Sequence, residues 1–248
     1  MWQELTDAGT IFRRGQLVLV CAPPGIGKSA LTLNYALLSR VASLYFSADS
    51  DAFTQLTRSI AVTSRVSLED ATQSVLADRI NEYADELNRV PIRLNYSASP
   101  SLADIETGMA AYDEVYGDYP SLVVADNASN IRLDPTEGGD GDTGGMEAMM
   151  EYLHTMARET QACVFALHHV TGPYNSGTKP IPLDGIKGQI GRVPEVVLTL
   201  HKVPGEYGMP DKLAVSTVKN RGGKADPSGE TFVELEFEGD TMRIGEAA

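Results

Sequence analysis

The chain is poor in cysteine and in positive charge, and each shortage narrows what it can be. It has two cysteines, Cys21 and Cys163. Both fall in apolar, strand-like segments, which excludes a disulfide framework and makes each a buried, reduced core thiol. The 20 Lys and Arg are outnumbered by 34 Asp and Glu, giving a formal charge of -14. A broad electrostatic footprint on nucleic acid needs clustered cations. Any such contact must therefore come from a few local loops, or from a basic channel inside an assembly with an acidic outer face. No apolar run approaches the length of a membrane span, and the N-terminus lacks a signal-peptide pattern. The expectation is a cytoplasmic protein with no membrane partner.

The rest is ordinary globular material. The 248 residues, 42% of them hydrophobic, suffice for one large α/β domain with a real core, expected to span 1–248. Short apolar runs alternate with helical segments, the pattern of βαβ units and a mostly parallel sheet flanked by helices. Strands are predicted at Leu17–Cys21, Ser43–Ser47, Ile92–Tyr96, Leu122–Asp126, Cys163–Leu167 and Val196–His201. Leu213–Val218 and Thr231–Phe237 follow without clear helices between them and read as an antiparallel C-terminal extension, closed by Thr241–Ile244. Helices are predicted at Ser29–Leu38, at Ala52–Val62, from Leu102 behind a Ser101 cap, and at Gly145–Thr160. Met149, Met150, Leu153 and Met156 form a stripe on the last, read as core packing. Two long polar stretches, Asp134–Gly145 and Thr171–Gly188, interrupt the scheme; loops of that length in a compact domain are usually functional or mobile.

Between the first strand and the first helix lies Cys21-Ala22-Pro23-Pro24-Gly25-Ile26-Gly27-Lys28-Ser29. Glycine-rich turns in this context expose successive backbone N–H groups at a helix N-terminus, a cradle for phosphate. Pro24 through Ala30 are the candidate nucleotide contacts: Pro24, Gly25, Ile26, Gly27, Lys28, Ser29 and Ala30. Lys28 would reach the β- and γ-phosphates and Ser29 would place its hydroxyl on Mg²⁺. Ala22 stands where the usual pattern has its first glycine, and would be strained if that position required φ > 0.

Leu122-Val123-Val124-Ala125-Asp126 is an apolar strand ending in a carboxylate, at the sheet edge where ligands bind in such folds. Asp126 is read as the second Mg²⁺ group. Asp49 ends another strand and is placed to orient or deprotonate a water; Asp49 or Asp51 could instead cap the helix at Ala52. His168 and His169 end a third strand without a zinc-ligand spacing, and His169 is read as a polar sensor of the γ-phosphate. Lys219 and Arg221 end a late strand. Cations there are commonplace, but in an oligomer Arg221 could act as a finger on a neighbour's nucleotide.

With these residues in view, the chain resembles the RecA-like motor domain of DnaB-type replicative helicases, and more loosely the RecA/RadA recombinases, from about Leu5 to Ile244. GTIFRRGQLVLVCAPPGIGKSALTLNYAL is similar to the family's phosphate-loop segment. YFSAD resembles the strand ending in its catalytic glutamate, with Asp49 as the shorter equivalent. VVADNASNI resembles the Walker B strand. FALHHVTG resembles the sensor strand, where a glutamine usually stands at His169. KPIPLDGIKG resembles the DNA-facing loop, and KNRGGKADPSGETFVELEF the segment carrying the trans-acting fingers, here Lys219 and Arg221. Arg58 matches an arginine that packs on adenine.

The resemblance implies a RecA fold, ATP with Mg²⁺, assembly into a ring such as a hexamer or into a filament, and single-stranded DNA bound by central loops, with Lys179, Lys187 and Arg192 as the cations left to contact it. It implies a stand-alone, phage-type motor, because no N-terminal helical domain is expected ahead of it. The first expectation is a DNA-dependent ATPase of replication or recombination. Two others stay open on the same residues: a nuclease, with Asp49, Asp51, Asp126 and the His168–His169 pair around divalent metal, and a non-motor, nucleotide-switched regulator.

Overall fold

The computed structural model describes residues 2–133, 142–205 and 210–246, without the side chains of 142–144, 189 and 246. In chain order its strands are β1 Leu17–Cys21, β2 Ser43–Ser47, β3 Ile92–Asn95, β4 Leu122–Asp126, β5 Cys163–His168, β6 Val196–Val203, β7 Lys212–Asn220, β8 Phe232–Glu238 and β9 Arg243–Glu246. Its α-helices are α1 Gln3–Asp7, α2 Lys28–Leu38, α3 Ala52–Ser64, α4 Leu68–Leu76, α5 Ala84–Asn88, α6 Leu102–Tyr116 and α7 Asp142–Thr160.

The strands form one sheet in the order β3-β2-β4-β5-β1-β6-β7-β8-β9. From β3 to β6 they run parallel, and β7 to β9 are antiparallel. The predicted α/β class and antiparallel extension are therefore observed. Period-2 alternation splits the buried strands between two faces. Val18 and Val20 pack with Leu33, Leu37 and Trp2 on one face. Leu17, Leu19 and Cys21 pack with helices α6 and α7 on the other, where Met149, Met150, Leu153 and Met156 are all buried. Cys21 and Cys163 are free and buried.

Local chemistry sets the helix starts. Ser101 forms a capping box with Asp104 at α6, and the Asp51 carboxylate accepts the Thr54 N–H at α3. Ser67 caps α4 by accepting the Asp70 N–H. The polar stretch from Thr171 is described throughout. Three short 3₁₀ turns, Gly172–Tyr174, Leu183–Gly185 and Lys187–Arg192, bring it back across the sheet. Most of the Asp134–Gly145 stretch lies outside the described residues. No helix among the described residues is long and apolar enough to cross a membrane.

Candidate functional site: a phosphate loop and two carboxylates at the sheet edge

Parallel strands β1, β2, β4 and β5 all end at one edge of the sheet, so the residues that follow them converge there. After β1 the chain turns through Gly25 at φ 78° and Gly27 at φ 122°, conformations that L side chains rarely adopt. Ala22 is fully buried and does not take a positive φ. The first-glycine position of this loop tolerates alanine because the left-handed turns fall at Gly25 and Gly27 instead.

Lys28 opens α2 behind Gly27. Its ammonium donates to the Ala22 carbonyl at 2.8 Å and the Pro23 carbonyl at 3.3 Å. It is buried and, among the described residues, makes no ion pair with a carboxylate. Burial lowers its pKa. A buried cation satisfied only by carbonyls, beside a glycine-rich turn at a helix N-terminus, is a fit for polyphosphate.

Asp126 ends β4 and is almost wholly buried. Ser29 Oγ donates to one carboxylate oxygen at 3.1 Å and Tyr45 OH to the other at 2.8 Å. Burial is the main cause of a raised Asp126 pKa, offset in part by those two hydroxyls and by Lys28. The Ser29–Asp126 pair fits Mg²⁺, since a hydroxyl and a carboxylate already share one corner. Tyr45 is a site residue the sequence reading missed. The available signal was a phenol between Leu44 and Phe46 in a buried strand, which must find a partner.

Asp49, exposed just beyond β2, does not cap α3; Asp51 does. Its carboxylate accepts from the side-chain amides of Asn127 and, at 2.8 Å, Asn130. It lies close enough to Lys28 and His169 to act on their charges. His169 is half-buried, with its proton affinity lowered by burial first and by Lys28 next. His168 is buried, and its Nε2 lies 3.0 Å from the Lys187 carbonyl. Arg58, on α3, donates to Ser50 Oγ at 3.4 Å. Among the described residues no three His, Cys, Asp or Glu side chains gather as a metal cluster, so the carboxylate–histidine centre of the nuclease reading does not form there.

Lys219 and Arg221 lie at the other end of the strands. Because β7 is antiparallel, Asn220 pairs with Val196 at the start of β6, opposite the phosphate-loop edge. Lys219 Nζ donates to the Gly191 carbonyl at 2.8 Å and also to that of Arg192. Arg221 donates to the Arg192 carbonyl at 3.0 Å, and its guanidinium stands 3.6 Å from Glu195. Lys219 is pulled down to about 8, by burial first and Arg221 next. Arg192, Lys219 and Arg221, with Leu183 and Ser228, line an open groove of about 930 Å³. Of the three cations expected to meet DNA, exposed Lys179 and Lys187 lie in the polar stretch, which returns toward the phosphate-loop edge. Exposed Arg192 keeps company with the finger residues instead.

A glycine-rich loop with Lys28, Ser29 and Asp126 at one edge of a mostly parallel sheet is the arrangement of the RecA-like P-loop ATPase fold. The chain belongs to the DnaB-like helicase C terminal domain family, which it matches over residues 2–246. It is 61% identical over 247 residues to the Gene 65 protein of Mycobacterium phage L5, covering 99% of this chain and 91% of that one. It is 60% identical over 233 residues to the Gene 65 protein of Mycobacterium phage D29, covering 93% and 99% respectively. Replicative DNA helicase DnaB of Treponema pallidum (strain Nichols) is 25% identical over 247 residues, covering 94% of this chain and 52% of that helicase. Among solved structures, a DnaB-like replicative helicase described with its interactions with primase superposes with a TM-score of 0.84 at 17% identity, covering all of this chain and 61% of that one. The RadB recombinase is more distant, with a TM-score of 0.60 at 16% identity, covering 99% of this chain and 96% of that one. The chain thus spans about half of the DnaB helicase and less than two thirds of the DnaB-like one.

Proposed function

We propose that this chain is a single-domain, ATP-driven motor on single-stranded DNA, serving replication or recombination from the cytoplasm as a ring, such as a hexamer, or a filament. The observation that carries the proposal is the separation within one chain. Lys28, Ser29 and Asp126 gather at one edge of the sheet, and Lys219 and Arg221 at the other. A chain that cannot complete its own site completes it on a neighbour, so ATP sits between protomers.

In this reading the loop amides from Pro24 to Ala30 and Lys28 hold the phosphates, with Arg58 on the adenine side. Ser29 and Asp126 would hold Mg²⁺, which when bound would supply positive charge to neutralise the phosphate oxygens. The oxygen of a water attacks the γ-phosphorus. The bond to the bridging oxygen breaks with its electron pair leaving on ADP, and the water's proton passes to the Asp49 carboxylate. The neighbour's Arg221 and Lys219 meet the charge that develops, and His169 reads the γ-phosphate. Lys179 and Lys187 face the strand, with Arg192 nearer the protomer boundary.

The test is ATP hydrolysis with and without single-stranded DNA for wild type, Lys28→Ala and Arg221→Ala. DNA should accelerate the wild type, and both variants should lose turnover. Mixing the two inactive variants should restore part of it, because each supplies the half the other lacks. Hydrolysis indifferent to DNA, or an active Arg221→Ala, would overturn the motor or the shared site respectively.

A further inference from the structure

Asp49 has partners that the nucleotide chemistry does not account for. Both oxygens of its carboxylate accept side-chain amides, one from Asn127 and the other from Asn130 at 2.8 Å. Asn130 closes the 3₁₀ turn Ala128–Asn130 and Asn127 stands at its N-cap position. Three positions apart across this turn, the two amides reach the two oxygens of one carboxylate.

The ordinary reason for asparagine at such a turn is to cap it locally. Asn127 makes no side-chain cap bond there. It is buried, with its Oδ1 unpartnered among the described residues. Asn130 Oδ1 has only a long contact from Ser129 Oγ at 3.4 Å. The amides of both residues therefore point at Asp49 rather than at the turn. An aspartate is one methylene shorter than a glutamate, and this one is exposed, with no hydrogen bond from α3 to fix it. Two donors, one on each oxygen, leave a planar carboxylate a single orientation. The same carboxylate acts on the charges of Lys28 and His169.

We infer that Asn127 and Asn130 are positioning residues that hold Asp49 in its water-activating orientation. The inference rests on the proposed role of Asp49. A residue that acts only through Asp49 has nothing to position once Asp49 is gone, which supplies the test.

Turnover and KM for ATP are measured for wild type, Asn130→Ala, Asp49→Ala and Asp49→Ala/Asn130→Ala, with thermal melts of each. Asn130 is the better probe because it is partly exposed and its backbone bonds survive the change. Asn127→Ser, which keeps a small polar group in the buried position, is the second variant. Asp49→Ala should lower kcat by about 100-fold or more. Asn130→Ala should lower it about tenfold at unchanged KM, the effect of one charge-assisted hydrogen bond. Asn130→Ala should cost nothing further in the Asp49→Ala background. Equal losses in both backgrounds, or full turnover in both Asn130→Ala and Asn127→Ser, would overturn the inference while leaving Asp49 its role. Full turnover in Asp49→Ala, beside an inactive Lys28→Ala, would remove that role and the inference with it.

Discussion

Glu195 Oε1 stands 3.6 Å from the Arg221 guanidinium and 2.8 Å from His154 Nε2, while its other oxygen accepts the Leu17 N–H at 2.9 Å. The carboxylate that anchors the first residue of the central strand thus also faces the arginine proposed to reach a neighbour's nucleotide. The Arg221 N–H further donates to the Glu195 carbonyl at 2.9 Å. Glu195→Gln keeps an acceptor for Leu17 and removes the charge. It should lower kcat roughly five-fold, about 1 kcal/mol, with KM for ATP and the melting temperature nearly unchanged. A change confined to KM or to stability would argue that Glu195 serves only the fold.

Asp126 is a buried carboxyl whose pKa is raised by that burial and pulled back in part by the Tyr45 and Ser29 hydroxyls. Asp126→Asn preserves shape and removes the charge. Hydrolysis should fall by at least about 100-fold, while the metal-free protein melts at the same temperature or higher, because a desolvated carboxylate is no longer buried. Calorimetric titration of nucleotide with Mg²⁺, and again with EDTA, should differ for wild type and coincide for the variant.

Gly177 connects the polar stretch to the phosphate loop. It has φ +65°, and a Cβ on it would run into Ile26 Cδ1 and fall 2.6 Å from Ile26 Cγ1. Gly177→Ala should destabilise the protein by about 1–3 kcal/mol in urea unfolding and weaken ATP binding, because either strand of the contact must shift. Adding Ile26→Ala removes the clash but not the positive φ, so it should recover only part of the loss.

Lys219 carries a pKa lowered to about 8, chiefly by burial and then by Arg221. Its charge is full below that pH and is lost above it. Turnover that needs the Lys219 cation should decline as pH rises through about 8, and Lys219→Arg should flatten that alkaline limb. Stability runs the other way. The unfolded chain holds this proton more tightly, so the Lys219 contribution to stability rises with pH from about 8 toward the ordinary 10.5. A pH–rate profile and pH-dependent melts measure the two separately.

Much of the frame was legible from the sequence because it rests on local rules. Short apolar runs place β1, β2, β4 and β5, each buried along its whole length, and a glycine pair ahead of Lys28 specifies the phosphate loop. The Ser101 cap and the methionine face of α7 were readable for the same reason: capping and helical period involve neighbours in sequence. The question of whether Asp49 or Asp51 caps α3 was not, since both sit within reach of its first turn. It is decided by the amide partners of Asp49, which lie 78 and 81 positions further along the chain.

What the sequence by itself determined is the order of elements and the chemistry each strand end carries: a lysine and serine after β1, carboxylates after β2 and at the end of β4, cations at the end of β7. Tertiary structure decided which of these meet. Strand order brings Tyr45 and Ser29 onto the two oxygens of Asp126, and the 3₁₀ turn after β4 brings two asparagines onto Asp49. The reversal of β7 carries Lys219 and Arg221 to the far edge. The physical reason is range. Propensity, capping and period act over a few residues, whereas hydrogen bonds between side chains far apart in the chain exist only once the sheet has fixed the register and direction of its strands.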